Sequence, residues 1–266
     1  MEKINELTKK QKSDEKLFES KILDKIKQSD SKNRFTSSDF LDLSQQMSVE
    51  KIMQIKKVEN YQLFGGYEEA ERKMLIIFPN MINEYVNKEN FYKQIMKIIR
   101  VKLPKELYGT YEHKNYLGAL IKLGIKREKI GDILVRRDGA DIIISSDIEK
   151  FVLLNLKTLT RFQKSEIEAL NISDIIYIKP EKEIIKINIP SMRLDCIVGE
   201  LARCSRNEAS DIIKQERVFV NFKEELSNGK QIEENTYITI RGKGRFKILK
   251  VEGTTKKGRL SVIVEK

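Results

Sequence analysis

The stretch Arg193-Leu194-Asp195-Cys196-Ile197-Val198-Gly199-Glu200-Leu201-Ala202-Arg203-Cys204-Ser205-Arg206-Asn207-Glu208-Ala209 decides the fold of the C-terminal third. Leu194, Ile197, Val198 and Leu201 fall at i, i+3, i+4 and i+7, the single apolar stripe of an amphipathic helix. Ser205 followed three residues later by Glu208 is a capping box, and it starts a second helix whose buried face is Ala209, Ile212 and Ile213. Glu216 and Arg217 then turn the chain into a strand over residues 218–221. Further strands are expected at 237–240, 246–249 and 260–264, and an alternating strand over 180–188 leads in. Two short helices followed by a small sheet make a compact αα-β layout.

Working outward, residues 61–179 alternate strands with two helices. Lys73 to Phe78 is a short apolar strand closed by Pro79. It follows a tight, partly apolar loop, Tyr61-Gln62-Leu63-Phe64-Gly65-Gly66-Tyr67. Residues 91–103 favour a strand through Ile95, Ile98, Ile99 and Val101. A helix over 114–123 ends at Gly124. Strands at 133–135 and 140–144 flank Asp138-Gly139, a hairpin turn signal. Ser146 or Asp147 is expected to cap a helix through Phe151, Leu153, Leu154 and Leu156. More β-type residues over 165–178 close the unit. This order suggests an α/β plait like an RNA-recognition module. The usual strand-borne aromatic motif of such modules does not occur, so any RNA contact here would rest on charge, with Lys122, Lys126, Arg127, Lys129, Arg136 and Arg137 as candidates.

Residues 1–60 read as helical. Leu17, Phe18, Ile22 and Ile26 recur at helical spacing, and Asp30-Ser31-Lys32-Asn33 breaks the pattern. A second helix carries Val49, Ile52, Met53 and Ile55. The reading is therefore α+β: a helical domain over 1–60, an RRM-like α/β domain over 61–179, and an αα-β domain over 180–266.

Composition narrows the chemistry. The 266 residues carry 51 Lys and Arg against 40 Asp and Glu, a net charge of +11. The last 26 residues alone hold nine of the basic residues and only Glu252 and Glu265 against them. A basic end rich in strand formers points to an anionic partner such as nucleic acid. One histidine, His113, and two cysteines, Cys196 and Cys204, cannot supply a four-ligand zinc site or a disulfide scaffold. No metal and no cofactor is expected. His113 lies among charged residues and has no nucleophile at readable spacing. The cysteines are expected to pack as small hydrophobes. No run of 18 apolar residues and no signal-like N-terminus occurs, so a reduced, cytoplasmic protein without a membrane partner is expected.

Four motifs, in order, resemble an S4 RNA-binding domain: Arg193-Leu194-Asp195, Ser205-Arg206-Asn207-Glu208-Ala209, Val218-Phe219-Val220-Asn221 and Ile238-Thr239-Ile240-Arg241-Gly242. Two positions depart from the pattern. Glu216 stands where a glycine commonly precedes the first strand, and Glu234-Asn235 stands where Gly-Asp commonly precedes the later one. Three more segments extend the likeness: residues 64–72 (Phe64-Gly65-Gly66-Tyr67-Glu68-Glu69-Ala70-Glu71-Arg72), residues 116–133, and residues 242–247 (Gly242-Lys243-Gly244-Arg245-Phe246-Lys247). With them nearly the whole chain resembles the YlmH-type proteins of Gram-positive bacteria. The resemblance implies a helical N-terminal part, an RRM-like middle and a C-terminal S4 domain. It also implies binding to rRNA of the large (50S) ribosomal subunit carrying peptidyl-tRNA, in ribosome-associated quality control of stalled nascent chains.

The expected RNA-binding residues are Arg193, Arg206, Lys214, Arg217, Asn221, Lys223, Arg241, Lys243 and Arg245. Arg193 and Arg206 would present guanidinium forks beside two helix N-termini whose amides favour phosphate. Asp195 is expected to cap its helix or hold Arg193. The protein is expected to act without catalysis, as a monomer with no small-molecule substrate. Two other classes stay open: a protein-interaction scaffold, linked to cell division or translation, using the first two domains, and an RNA-modifying enzyme. Arg193-Leu194-Asp195 resembles part of the Gly-Arg-Leu-Asp motif of some pseudouridine synthases, but Met192 replaces the glycine and no catalytic-sized domain follows.

Overall fold

The computed structural model describes residues 2–79, 88–179 and 183–266, with backbone alone for residues 2–12 and 14. The chain divides into two compact units between Ile178 and Lys179.

The first unit opens with helix α1 (Glu2–Lys32) and strand β1 (Thr36–Leu41). Helix α2 (Leu43–Lys56) follows. Its cap is Asp42, whose carboxylate accepts from the Gln45 amide while the Gln45 side chain accepts from the Asp42 amide. Strands β2 (Tyr61–Phe64) and β3 (Lys73–Ile77) pair with β1 in the order β1-β3-β2. Two expectations are corrected here. Residues 36–41 are a strand inside the expected helical domain, and residues 61–64 are a strand rather than loop. Residue 60 is consequently no boundary, because one sheet spans it. Thr36-Ser37-Ser38-Asp39 shows no β pattern locally, and pairing with the apolar β3 makes it strand; in β2 the strand formers Tyr61 and Phe64 pair with the same strand.

Strand β3 is buried on both faces. Leu75 and Ile77 pack with Ile22, Ile26, Val49 and Met53 of the two helices. Met74 and Ile76 point the other way and pack with Met96, Ile98 and Ile143 of the next layer.

That layer is the plait. Helix α3 (Lys88–Ile95) runs directly into β4 (Met96–Lys102). The strand expected over 91–103 therefore begins only at Met96. Helix α4 (His113–Lys122), strands β5 (Ile130–Arg136) and β6 (Gly139–Ser145), helix α5 (Glu149–Leu156) and strand β7 (Glu166–Leu170) complete it. The sheet order is β5-β6-β4-β7, all antiparallel, the βαββαβ arrangement that the sequence order suggests. Only residues 166–170 of the expected 165–178 stretch are strand. Gly139 is required at the hairpin: a Cβ there would meet the Val101 carbonyl oxygen at 1.8 Å. Neither Ser146 nor Asp147 caps α5. The Ser146 hydroxyl donates to the Gln94 carbonyl, and Asp147 pairs with Lys129.

Two of the family-like segments meet in this unit. The Asp132 carboxylate accepts from the Tyr67 hydroxyl at 2.8 Å and from the Glu71 and Arg72 amides at 2.7 and 3.0 Å. Arg72 in turn donates to the Ile130 and Phe40 carbonyls, both at 2.9 Å. Burial and the adjacent Asp132 charge raise the Tyr67 hydroxyl pKa, so it stays a donor. The Gly-Gly loop is thus latched to the start of β5.

The second unit comprises β8 (Ile184–Ile189), α6 (Leu194–Ala202), α7 (Arg206–Lys214), β9 (Val218–Val220), β10 (Lys223–Glu224), β11 (Tyr237–Ile240), β12 (Gly244–Thr254) and β13 (Leu260–Glu265). Its six-stranded sheet has the order β10-β9-β11-β12-β13-β8. Helices α6 and α7 cover one face: Leu194, Ile197, Val198, Leu201, Ala209 and Ile213 pack with Val218, Ile238, Ile240, Phe246, Ile248, Val262 and Val264. Cys196 joins this core, Cys204 packs at its edge, and both are free thiols.

Candidate RNA interface

Asp195 organises the helix side of the second unit. Its side chain is only 4% exposed, on the first turn of α6. It accepts from Arg193 Nε at 3.1 Å and Nη2 at 2.9 Å, a bidentate fork. It also accepts from Arg206 Nε at 2.9 Å and from the Cys196 amide at 3.0 Å. Hydrogen bonding to Arg193, then to Arg206, holds its pKa far below the usual carboxylate range. The carboxylate is fully ionised near neutrality and fixes two guanidiniums that stay 37% and 60% exposed. One negative charge against two positive leaves a net positive patch with its geometry set in advance.

The helix N-termini differ from expectation. On α6 the Leu194 amide donates to the Lys230 carbonyl and the Asp195 amide to the Asn228 carbonyl. The Cys196 and Ile197 amides return to the Arg193 carbonyl. These amides are therefore committed to the 228–230 loop and to the helix itself, whose N-cap is Arg193, and are not offered to a phosphate. On α7 the capping box forms, with the Glu208 amide on Ser205 Oγ. On α6, what this side offers to an anion is therefore the guanidinium pair and not the helix end.

The remaining expected residues sort by environment. Lys214, Lys223, Arg241, Lys243 and Arg245 are exposed. Arg217 is half-buried and donates to the Arg241 carbonyl at 3.1 Å, while the Arg241 amide donates to the Arg217 carbonyl. It braces the turn between β11 and β12, where Gly242 takes φ +82°. Asn221 also locks a turn: it sits at φ +47°, and its Oδ1 accepts from the Tyr237 amide at 3.0 Å. The two departures from the S4 pattern both fall in the left-handed region, Glu216 at φ +59° and Asn235 at φ +61°. That conformation explains why glycine is the common choice at the first.

Sequence reasoning missed the far face of this sheet. Period-2 alternation points Phe219, Tyr237, Thr239, Arg245 and Lys247 away from the core. Arg241 lies over the Phe219 ring at 4.9 Å, Arg245 over Phe222 at 5.3 Å, and Lys247 over Tyr237 at 5.4 Å. The signal was readable: Phe219 and Tyr237 alternate with buried Val and Ile in strands that were correctly placed.

The plait presents the opposite case. The sheet face that an RNA-recognition module offers to RNA here carries Met96, Ile98 and Ile143, packed against Phe40, Met74, Ile76 and Ile172. Beside them Asp141 is fully buried, between Arg100 at 2.8 Å and Arg136 at 2.9 Å. Burial pushes the Asp141 pKa up, but the bonds from Arg100, the Ile176 amide and Arg136 outweigh it and hold the group ionised. Of the expected plait contacts, Arg136 is thus used internally. Lys129 bridges Asp39 and Asp147, and Arg127 donates to the Ile130 carbonyl. Arg136 bonds within its own hairpin, to Asp138 and Asp141, whereas Lys129 reaches β1 and the Arg127 carbonyl accepts from Arg72 beside β3. Lys122, Lys126 and Arg137 are exposed.

Comparison with known proteins places the chain in a family. The chain is 31% identical over 235 residues to "Ribosome-associated protein quality control protein P2" of Bacillus subtilis (strain 168), covering 88% of each chain. The chain belongs to the YlmH family. Residues 87–174, from the start of α3 to the segment after β7, match the family model described as "Putative RNA-binding domain in YlmH". A solved YlmH structure, "Cell division protein ylmH from Streptococcus pneumoniae", aligns with a TM-score of 0.49 at 18% identity, covering 62% of this chain and 95% of that one. The described residues mix helices with three sheets, the α+β class expected from the sequence. Among the described residues no cluster of three or more His, Cys, Asp and Glu could hold a metal, and no helix is long and apolar enough to cross a membrane.

Proposed function

We propose that the chain is a non-enzymatic RNA-binding factor of the large ribosomal subunit, acting in quality control of stalled nascent chains. The observation that carries this reading is the Arg193–Asp195–Arg206 cluster: a buried carboxylate that holds two exposed guanidinium forks ready for phosphate. The basic C-terminal end supplies the wider attraction, and the name of the Bacillus relative supports the ribosome as the setting. Mechanistically the protein works by placement. The S4 unit (residues 180–266) grips folded rRNA, or rRNA with peptidyl-tRNA, and the first unit sets orientation.

The test is co-sedimentation with 50S subunits across a salt series. Wild type should bind with a steep salt dependence, and Arg193→Ala with Arg206→Ala should lose binding while staying folded. Unchanged binding of the double variant would refute the reading. The scaffold alternative keeps one observation, the exposed Phe151 and Leu154 on α5. It predicts a protein partner retained after RNase treatment and at high salt.

A further inference from the structure

We propose that the outer face of the six-stranded sheet, built on Phe219, Phe222 and Tyr237, is a stacking site for unpaired bases of an RNA strand. This inference rests on the RNA-binding reading above and adds a second surface, on the opposite side of the sheet from α6 and α7.

Three observations carry it. First, the rings are held in place. Asn221 bonds Tyr237 through both backbone and side chain, at 2.8 and 3.0 Å, which fixes the strand beneath the Tyr237 ring. Phe222 takes φ +65°, a conformation rarely adopted by a bulky residue. It brings the Phe222 ring to 5.2 Å from Tyr237, tilted by 36°. Second, the rings are half-buried and sit on the solvent side, although the core accepts apolar groups on the other. Third, each ring has its own cation: Arg241, Arg245 and Lys247.

Flat aromatic surface interleaved with positive charge is what single strands require: bases stack on rings or guanidinium planes while phosphates meet the cations. A duplex hides its base faces and could not use the rings. An acidic peptide would satisfy the cations but leave the rings without flat partners.

The test uses the full chain and a 12-nucleotide unstructured RNA, read by fluorescence anisotropy. Phe222→Leu with Tyr237→Leu keeps apolar bulk and removes the π-faces. Affinity for the oligomer should fall at least about tenfold with the salt slope unchanged. Arg245→Gln leaves the rings intact and serves as the second variant. It should weaken binding and lower the salt slope by about one. The proposal is overturned if wild type does not bind the oligomer, if the leucine variant binds it like wild type, or if an RNA duplex of equal length competes as well. Co-sedimentation with 50S separates the two readings. Loss of 50S binding in the Arg193, Arg206 variant with no leucine effect on the oligomer leaves the proposed function standing and removes this one.

Discussion

The four-stranded sheet of the first unit and the six-stranded sheet of the second differ in what meets their faces. On the plait, helices α4 and α5 cover one face, and the three-stranded sheet with residues 172–176 covers the other. Its central strand β6 is consequently buried throughout, with Ile142 and Ile144 on one face and Ile143 on the other. On the six-stranded sheet, α6 and α7 cover one face and the other carries aromatic rings under cations. The plait has the topology of an RNA-recognition module but not its open face. The six-stranded sheet keeps one. Topology alone therefore assigns no RNA surface; what packs on the sheet decides it.

The sharpest way to break this contrast is Phe40→Ala. Phe40 is 1% exposed between the plait and the three-stranded sheet, and its ring lies against Gly131. The variant should lose about 3–5 kcal/mol in urea unfolding. Thr239→Ala, on the open face of the six-stranded sheet, should cost under about 1 kcal/mol. Equal costs would mean that the plait face is not covered.

Asp195 gives the next largest effect. Its pKa is depressed by Arg193 and Arg206, so its contribution to stability is complete above the ordinary Asp value of about 3.9 and fades as pH falls below it. Wild type should thus lose stability more steeply below about pH 4 than Asp195→Asn does. At pH 7 Asp195→Asn should bind 50S more weakly despite its greater positive charge, because the two forks are no longer held. Parallel acid-unfolding curves, or tighter 50S binding by the variant, would count against the positioning role.

Glu216→Gly is the mildest probe. Relieving a left-handed, non-glycine residue beside β9 should raise thermal stability by about 1 kcal/mol with 50S binding unchanged. A destabilised variant would show that the Glu216 side chain has a role of its own.

Much of the second unit was legible because local signals agreed with one another. The i, i+3, i+4, i+7 stripe, the Ser205–Glu208 capping box and the alternation at 237–240 each act within one element. Arg193 and Arg206 were legible through the same motif. The missed strand at 36–41 had no local signal: Ser37, Ser38 and Asp39 become a strand only through pairing with β3. The assignment of the α6 amides failed for a similar reason. Their partners lie in the 228–230 loop, more than thirty residues away in sequence. The turn-locking role of Asn221 was not legible, because it depends on a backbone at φ +47° and on the amide of Tyr237, distant in sequence.

The most direct test of the contrast between the two sheets is ultraviolet cross-linking of the full chain to 50S subunits, with mass spectrometry of the linked peptides. Cross-links should fall on peptides of the second unit, those carrying Arg193, Arg206 and residues 241–245 foremost, and be absent from β4 and β6. Cross-links concentrated on Met96–Lys102 or Gly139–Ser145, with none on the second unit, would contradict the account.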